Sequence, residues 1–298
     1  MAKEPPLISR RSERTMLALF LGPAVIIVLI FTIMPALWAI YVSFTNRALT
    51  GARSVTYDFV GMANYVKLLS NEIFLHSISL TLWYTLWTNI GQFVLGLATA
   101  LFLNRANLWG KTFLLAAVVL PMVIPAVIQS LIWSSMLAIG EYGTLNRILG
   151  LVGIAPVMWL REAPMISVTL VNFWNNSGFA MILFLAGLEN IPREVIEAAQ
   201  IDGANAWQTL TRIRLPLIRY VIMLWLLLNT LGCLGVFDLV YTLTRGGPGN
   251  RTQLVGIYIY DQSFKFYELG MGSAASVILL FISLIIGLIY VRVLRVTL

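Results

Sequence analysis

Charge is what this chain lacks most. Asp, Glu, Lys and Arg make up 11% of its 298 residues, less than half of the roughly 25% usual in soluble domains. It has one cysteine, Cys233, and one histidine, His76. A single cysteine excludes an internal disulfide and any cysteine-based metal cluster. A zinc site or a Ser/His hydrolase would need more histidines, or acids within the membrane, to join His76. The reading is therefore of a chain with no catalytic residues and no metal ligands. Low-complexity segments and short-period repeats are missing too.

Apolar residues fill the gap, at 59% of the chain, in several runs of 18 or more. Such runs read as membrane spans. Backbone groups in hydrocarbon must be satisfied internally, which leaves helices or closed barrels, and these runs are too long and too unalternating for barrel strands. The expected fold class is all-α: a polytopic integral membrane protein with six transmembrane helices. They fall at about residues 16–44, 75–103, 113–137, 165–188, 217–242 and 272–294. Each is long enough to cross about 30 Å at roughly 1.5 Å per residue.

The net charge of +7 reads as topology and not as nucleic-acid binding, because the basic residues sit mostly at span ends. With the N-terminus inside, the inside segments hold Lys3, Arg10, Arg11, Arg14, Arg105, Lys111, Arg193, Arg212, Arg214, Arg219, Arg292 and Arg295, a higher basic density than outside. Both termini then face the cytoplasm. Residues 1–15 and 295–298 are tails around one transmembrane domain, 16–294, whose longest cytoplasmic loop is 189–216. The basic residues before span one imitate a secretory signal, but the apolar run is far longer than an h-region, so it reads as a retained span.

Few residues offer chemistry. Gly110-Lys111-Thr112 imitates the end of a phosphate-binding loop, but Arg105 stands where the first glycine is needed and no strand precedes it. Any ATP is expected on another chain. Asp238 is the one acid placed inside a span, near the outer end of span five. An intramembrane acid suggests substrate contact, a gate or a proton path, with hydrogen bonding near the interface as the structural alternative. Span four opens VNFWNNSGFAMILF, in which Asn172, Asn176 and Phe179 fall at i, i+4 and i+7 on one face. Amides and a ring suit a neutral hydroxylated ligand; interhelical hydrogen bonding explains them equally. Aromatic residues crowd the outside loops, among them Tyr65 and Tyr258, as interfacial anchors or as a docking surface.

The stretch EVIEAAQIDGANAWQTLTRIRLP, from Glu194 to Pro216, is too polar to cross a bilayer. It reads as two short helices. Pro192 opens the first, Gly203 ends it, and Asn205 caps the second. Ala198 and Ala199 leave a low surface that another backbone can approach, and Glu197 sets a carboxylate beside it for an arginine. Helices that lie on anionic lipid prefer Lys and Arg. This one carries Glu194, Glu197 and Asp202, which favours a basic protein partner.

The spacing Glu197-Ala198-Ala199, three residues, Gly203, nine residues, Ile213, one residue, Leu215-Pro216 resembles the EAA loop of binding-protein-dependent ABC importer permeases. FVGMANYVKLL at 59–69 and FDLVYTLTRGGP at 237–248 look like the sugar-permease branch (maltose, trehalose and glycerol-phosphate type). The resemblance implies a permease subunit forming half of a pathway for a di- or oligosaccharide such as trehalose or maltose, in a bacterial or archaeal cytoplasmic membrane. It also implies that residues 197–216 dock a cytoplasmic ATPase, with Glu197 pairing an ATPase arginine and Asp202 and Gly203 at the turn. Partners implied are a second homologous permease, two ATPase subunits carrying ATP and Mg, and an extracytoplasmic solute-binding protein. No cofactor is implied on this chain. Substrate contacts carry over to Asn172, Asn176 and Phe179 in span four, and to Met122 and Ala126 in span three. A self-contained ion-coupled transporter using Asp238 is the alternative, but it usually shows paired repeats with broken helices, and none is evident.

Overall fold

The computed structural model describes residues 10–105 and 109–296. The expected tail residues 1–9, with Lys3, and the last residues 297–298 lie outside the described residues. Helices dominate. Among the described residues the only β pairing is one isolated bridge, Thr45 with Phe59.

α1 (Arg10–Val28) runs through a π-helical turn, Leu29–Ile33, into α2 (Met34–Ser43). Pro35 explains the wide turn. It has no N–H to donate, and its ring would press on the carbonyl four residues back in a regular helix. α3 (Ala63–Leu69) leads into α4 (Glu72–Leu103), a 32-residue helix started by the Asn71 side chain accepting from the Phe74 N–H. α5 (Lys111–Val123) and α6 (Ala126–Met136) follow, then α7 (Thr144–Leu151) and α8 (Trp159–Glu162). α9 (Pro164–Glu189) returns across the bundle. α10 (Arg193–Ile201), α11 (Ala206–Thr209), a π turn and α12 (Leu215–Leu217) form the long loop. α13 (Arg219–Leu234), α14 (Asp238–Thr244), α15 (Val255–Tyr260) and α16 (Leu269–Val296) complete the chain.

Four unbroken stretches are long and apolar enough to span a membrane: Leu19–Ser43, Glu72–Leu103, Pro164–Glu189 and Leu269–Val293. They match the first, second, fourth and sixth expected spans. The other two differ from the sequence reading. Span three is bent by 101° between α5 and α6. Ile124 precedes Pro125 and is driven to extended backbone at ψ 132°. The carbonyl of Pro121, which a continuing helix would pair with residue 125, accepts instead from the Ile124 N–H at 3.2 Å and from the Gln129 side chain. Span five is shorter than read: α13 stops at Leu234, and the chain breaks over Gly235–Phe237 before α14. α12 and α13 meet in a second bend, of 69°.

α4 and α9 form the hub of the bundle, and small residues bring the helices together. A Cβ on Gly178 would stand 2.7 Å from the Val118 carbonyl oxygen, so α9 and α5 touch backbone to backbone. Close approach through glycine is how helices gain contact where lipid gives no hydrophobic drive. Trp225 of α13 is fully buried, with its ring centroid 5.2 Å from Phe184 and 6.1 Å from Phe93. Aromatic pairs of this kind add about 0.5–1.5 kcal/mol beyond area burial. α1, α2 and α16 carry large apolar side chains that face outward, as lipid-facing helices do. Tyr65 and Tyr258 correct one expectation: both are buried, with Tyr65 at 2.6 Å from the Ser43 hydroxyl, and are packing groups and not anchors.

Candidate functional site

Two regions gather the candidate residues, one just past the C-terminal end of α9 and one beside its middle. The first is the long loop. α10 ends with Asp202 as its cap, and Gly203 follows at φ 80°, a left-handed geometry that favours glycine. The Ala204 N–H returns to the Ala199 carbonyl at 2.9 Å. Asn205 then starts α11 with a reciprocal capping box: its side chain accepts from Gln208 N–H, and Gln208 accepts from Asn205 N–H, both at 2.9 Å. Glu197, Ala198 and Asp202 are exposed. Ala199 is buried, so one alanine of the pair, not both, lies on the open face. Ile213 and Leu215 are half-buried, with Leu215 packed into the Trp225 cluster, and Pro216 is exposed just before the bend. Two large apolar side chains stand out at the tip: Ile201 is 86% exposed and Trp207 71%.

The second region is a cavity of about 440 Å³ at the two helix breaks, lined by Met122, Ala126, Gln129, Asn172, Asn176 and residues 235–239, including Asp238. Five of the six candidate ligand contacts thus meet in one space. Phe179 does not join them. It packs against the cluster around Trp225 instead, three residues further along α9 than Asn176. Asp238 is not inside a spanning helix, as the sequence reading had it. It opens α14 after the break and is exposed, where its carboxylate complements the helix N-terminus.

The amides divide the work. Asn172 is buried and its side chain is engaged: Nδ2 donates to the Tyr84 hydroxyl, and Oδ1 accepts from Gln92 Nε2 at 3.2 Å and from Asn176 Nδ2 at 2.9 Å. Asn176 is half-buried, and its Oδ1 accepts from no other described residue. Of the two, Asn176 has the open hydrogen-bonding capacity, and Asn172 ties α9 to α4.

Sequence reasoning missed Tyr84, Gln92, Gln129 and Phe237. The first three sit singly in apolar runs, with no local pattern to mark them. Phe237 lines the cavity and stacks on Tyr241 at 4.9 Å, which meets Tyr260 at 5.0 Å, which meets Phe264 at 5.5 Å. Lys265 closes this ladder. Its ammonium lies 2.6 Å from Asp261, and that hydrogen bond holds its pKa above the usual lysine value.

A helical membrane domain with broken spans around a polar-lined cavity, and a helix–turn–helix projecting at one end, defines a transport permease. Residues 92–296 match the family described as binding-protein-dependent transport system inner membrane component, and the chain belongs to it. It is similar to the trehalose/maltose transport system permease protein MalF of Thermococcus litoralis, 34% identical over 284 residues covering 92% of each chain. The trehalose transport system permease protein SugA of Mycobacterium tuberculosis is 33% identical over 285 residues, 95% of this chain and 90% of that one. In structure it resembles a chain of a bacterial alginate ABC transporter, solved in complex with alginate pentasaccharide-bound periplasmic protein, with TM-score 0.80, 25% identity and 96% of each chain covered.

Proposed function

We propose that this chain is the permease subunit of an ATP-driven carbohydrate importer and forms half of its translocation pathway. The observation that carries the reading is the EAA spacing of residues 197–216, folded as a hairpin that stands off the bundle of a chain in the inner-membrane-component family. The relatives' names support a sugar, with a di- or oligosaccharide such as trehalose or maltose as the first candidate. The exposed Ile201 and Trp207 beside Glu197 and Ala198 support docking of a cytoplasmic ATPase, since apolar anchors of this size rarely face water without a partner.

In this reading ATP and Mg are bound by two ATPase subunits, and this chain carries no cofactor and catalyses no covalent step. A second, homologous permease completes the pathway, and an extracytoplasmic solute-binding protein delivers the sugar. Both termini and the α10–α11 hairpin face the cytoplasm; residues 16–294 are the transmembrane domain. Asn176, Met122, Ala126 and Asp238 contact the sugar, Asn172 positions Asn176, and Phe179 acts through packing. ATP-driven closure pulls α10 and moves the helices around the cavity, and the breaks at Pro125 and Gly235 are where they bend.

The test is co-purification of the assembled complex, followed by uptake into proteoliposomes. Sugar uptake is expected to need ATP inside and binding protein outside. Uptake by this chain alone, driven by an ion gradient, would overturn the reading in favour of an ion-coupled transporter built on Asp238.

A further inference from the structure

Beneath α10 lies a second polar cleft, of about 660 Å³. The C-terminal end of α4, the start of α5, the end of α9, α10 and the π turn after α11 all contribute to it. Its charged lining is Arg105, Lys111, Glu189, Arg193, Glu197 and Arg214. Lys111 and Glu189 neutralise one another at 2.7 Å. That leaves three guanidiniums and one carboxylate. Arg105, Arg193 and Arg214 form no ion pair among the described residues.

Two simpler accounts cover only part of this. Basic residues at a cytoplasmic boundary orient a membrane protein without binding anything. Arg105, just past the end of α4 at Asn104, also suits the negative end of that helix. Neither explains Arg193. It is the first residue of α10, where a cation faces the positive end of the helix dipole and is disfavoured. Arg214 comes to the same space from a separate element. Three forked donors and a helix N-terminus converge on a cleft large enough for a headgroup, against the one free carboxylate of Glu197. Guanidinium forks fit phosphate oxygens two at a time, and basic pockets between helices on the cytoplasmic side take phosphorylated headgroups.

We propose that this cleft is a phosphate site, filled by the headgroup of an anionic phospholipid or by a soluble phosphate ester. A bound phosphate bridges α10 to the end of α4 and to the π turn after α11, and stiffens the hairpin against the bundle. The inference rests on the orientation given under Proposed function but not on the identity of the solute.

The assembled transporter is placed in nanodiscs of phosphatidylcholine alone or with one quarter phosphatidylglycerol. Retained lipid is counted by native mass spectrometry, with and without inorganic phosphate. Wild type is expected to retain phosphatidylglycerol over phosphatidylcholine, and Arg193→Gln with Arg214→Gln to weaken that retention about tenfold or more. Arg193→Lys with Arg214→Lys, which keeps the charge, is expected to recover part of it and to exclude misfolding as the cause. No lipid preference, but stabilisation by millimolar inorganic phosphate that the Gln pair abolishes, assigns the site to a soluble phosphate. Equal lipid retention and equal phosphate response in wild type and the Gln pair overturns the proposal. Because binding is read directly, a failure of sugar uptake in the same samples would count against the transport reading and leave the site standing.

Discussion

Replacing Asn172 and Asn176 one at a time separates a structural amide from a ligand-facing one. Asn172→Ala removes three side-chain hydrogen bonds, to Tyr84, Gln92 and Asn176. Tyr84 and Gln92 are both fully buried. Gln92 Nε2 keeps the backbone carbonyl of residue 172 at 3.5 Å, so the Tyr84 hydroxyl is the group left without this partner and without water. Side-chain hydrogen bonds between membrane helices average about 0.6 kcal/mol, and an orphaned buried group costs about 1–3 kcal/mol. One orphan sets the expected loss at about 1–3 kcal/mol. At roughly 2 °C per kcal/mol for a chain of this size, the unfolding midpoint in detergent drops by about 2–6 °C. Asn176→Ala removes only contacts within its own helix, so its midpoint stays within about 1 °C. The order reverses in function. Solute-stimulated ATPase activity of the assembled complex is expected to fall further in Asn176→Ala than in an Asn172→Ala sample matched for folded protein. An Asn172→Ala chain of native stability that has lost its solute response would refute the division of roles.

Glu197→Lys reverses the charge on the exposed face of α10; the protein is expected to insert normally while ATP-driven uptake is lost, and normal uptake would remove Glu197 from the docking surface. Gly178→Ala places a methyl 2.7 Å from the Val118 carbonyl oxygen, so α5 and α9 must part at a cost of about 1–3 kcal/mol; an unchanged unfolding midpoint would show that the contact is looser than drawn. Asp238→Asn keeps the size and removes the charge of an exposed residue that lines the cavity; uptake that follows ATP and is indifferent to a proton gradient is expected, and collapse of uptake together with loss of proton coupling would revive the ion-coupled alternative.

Much of the fold was legible before any coordinates. Spans two, four and six fall within three residues of α4, α9 and α16, because a long apolar run in lipid has no other stable form. The turn of the α10–α11 hairpin was legible too. Gly203 and Asn205 carry backbone chemistry that few residues share, and both act as read. The break in span three was visible only as two prolines. Whether a proline kinks a helix or ends it depends on what replaces the lost hydrogen bond, and here that includes Gln129, eight residues after Pro121 in sequence. Phe179 failed for a related reason. The face that carries Asn172 and Asn176 runs from the cavity to the Trp225 cluster, and the i+7 step does not say where one ends and the other begins.

Local chemistry therefore determined the class of protein: a scarcity of charge forces helices into lipid, and one rigidly spaced polar hairpin marks an importer permease. The assignment of roles was decided in three dimensions. Asn172 reads as a ligand contact until Tyr84 and Gln92 are found on the facing helix, 88 and 80 residues away, using up its amide. Arg193 and Arg214 read as topology until they share a cleft. In each case the decisive partner is remote in the chain, and only the packing of α4, α9 and α10 brings it within hydrogen-bonding reach.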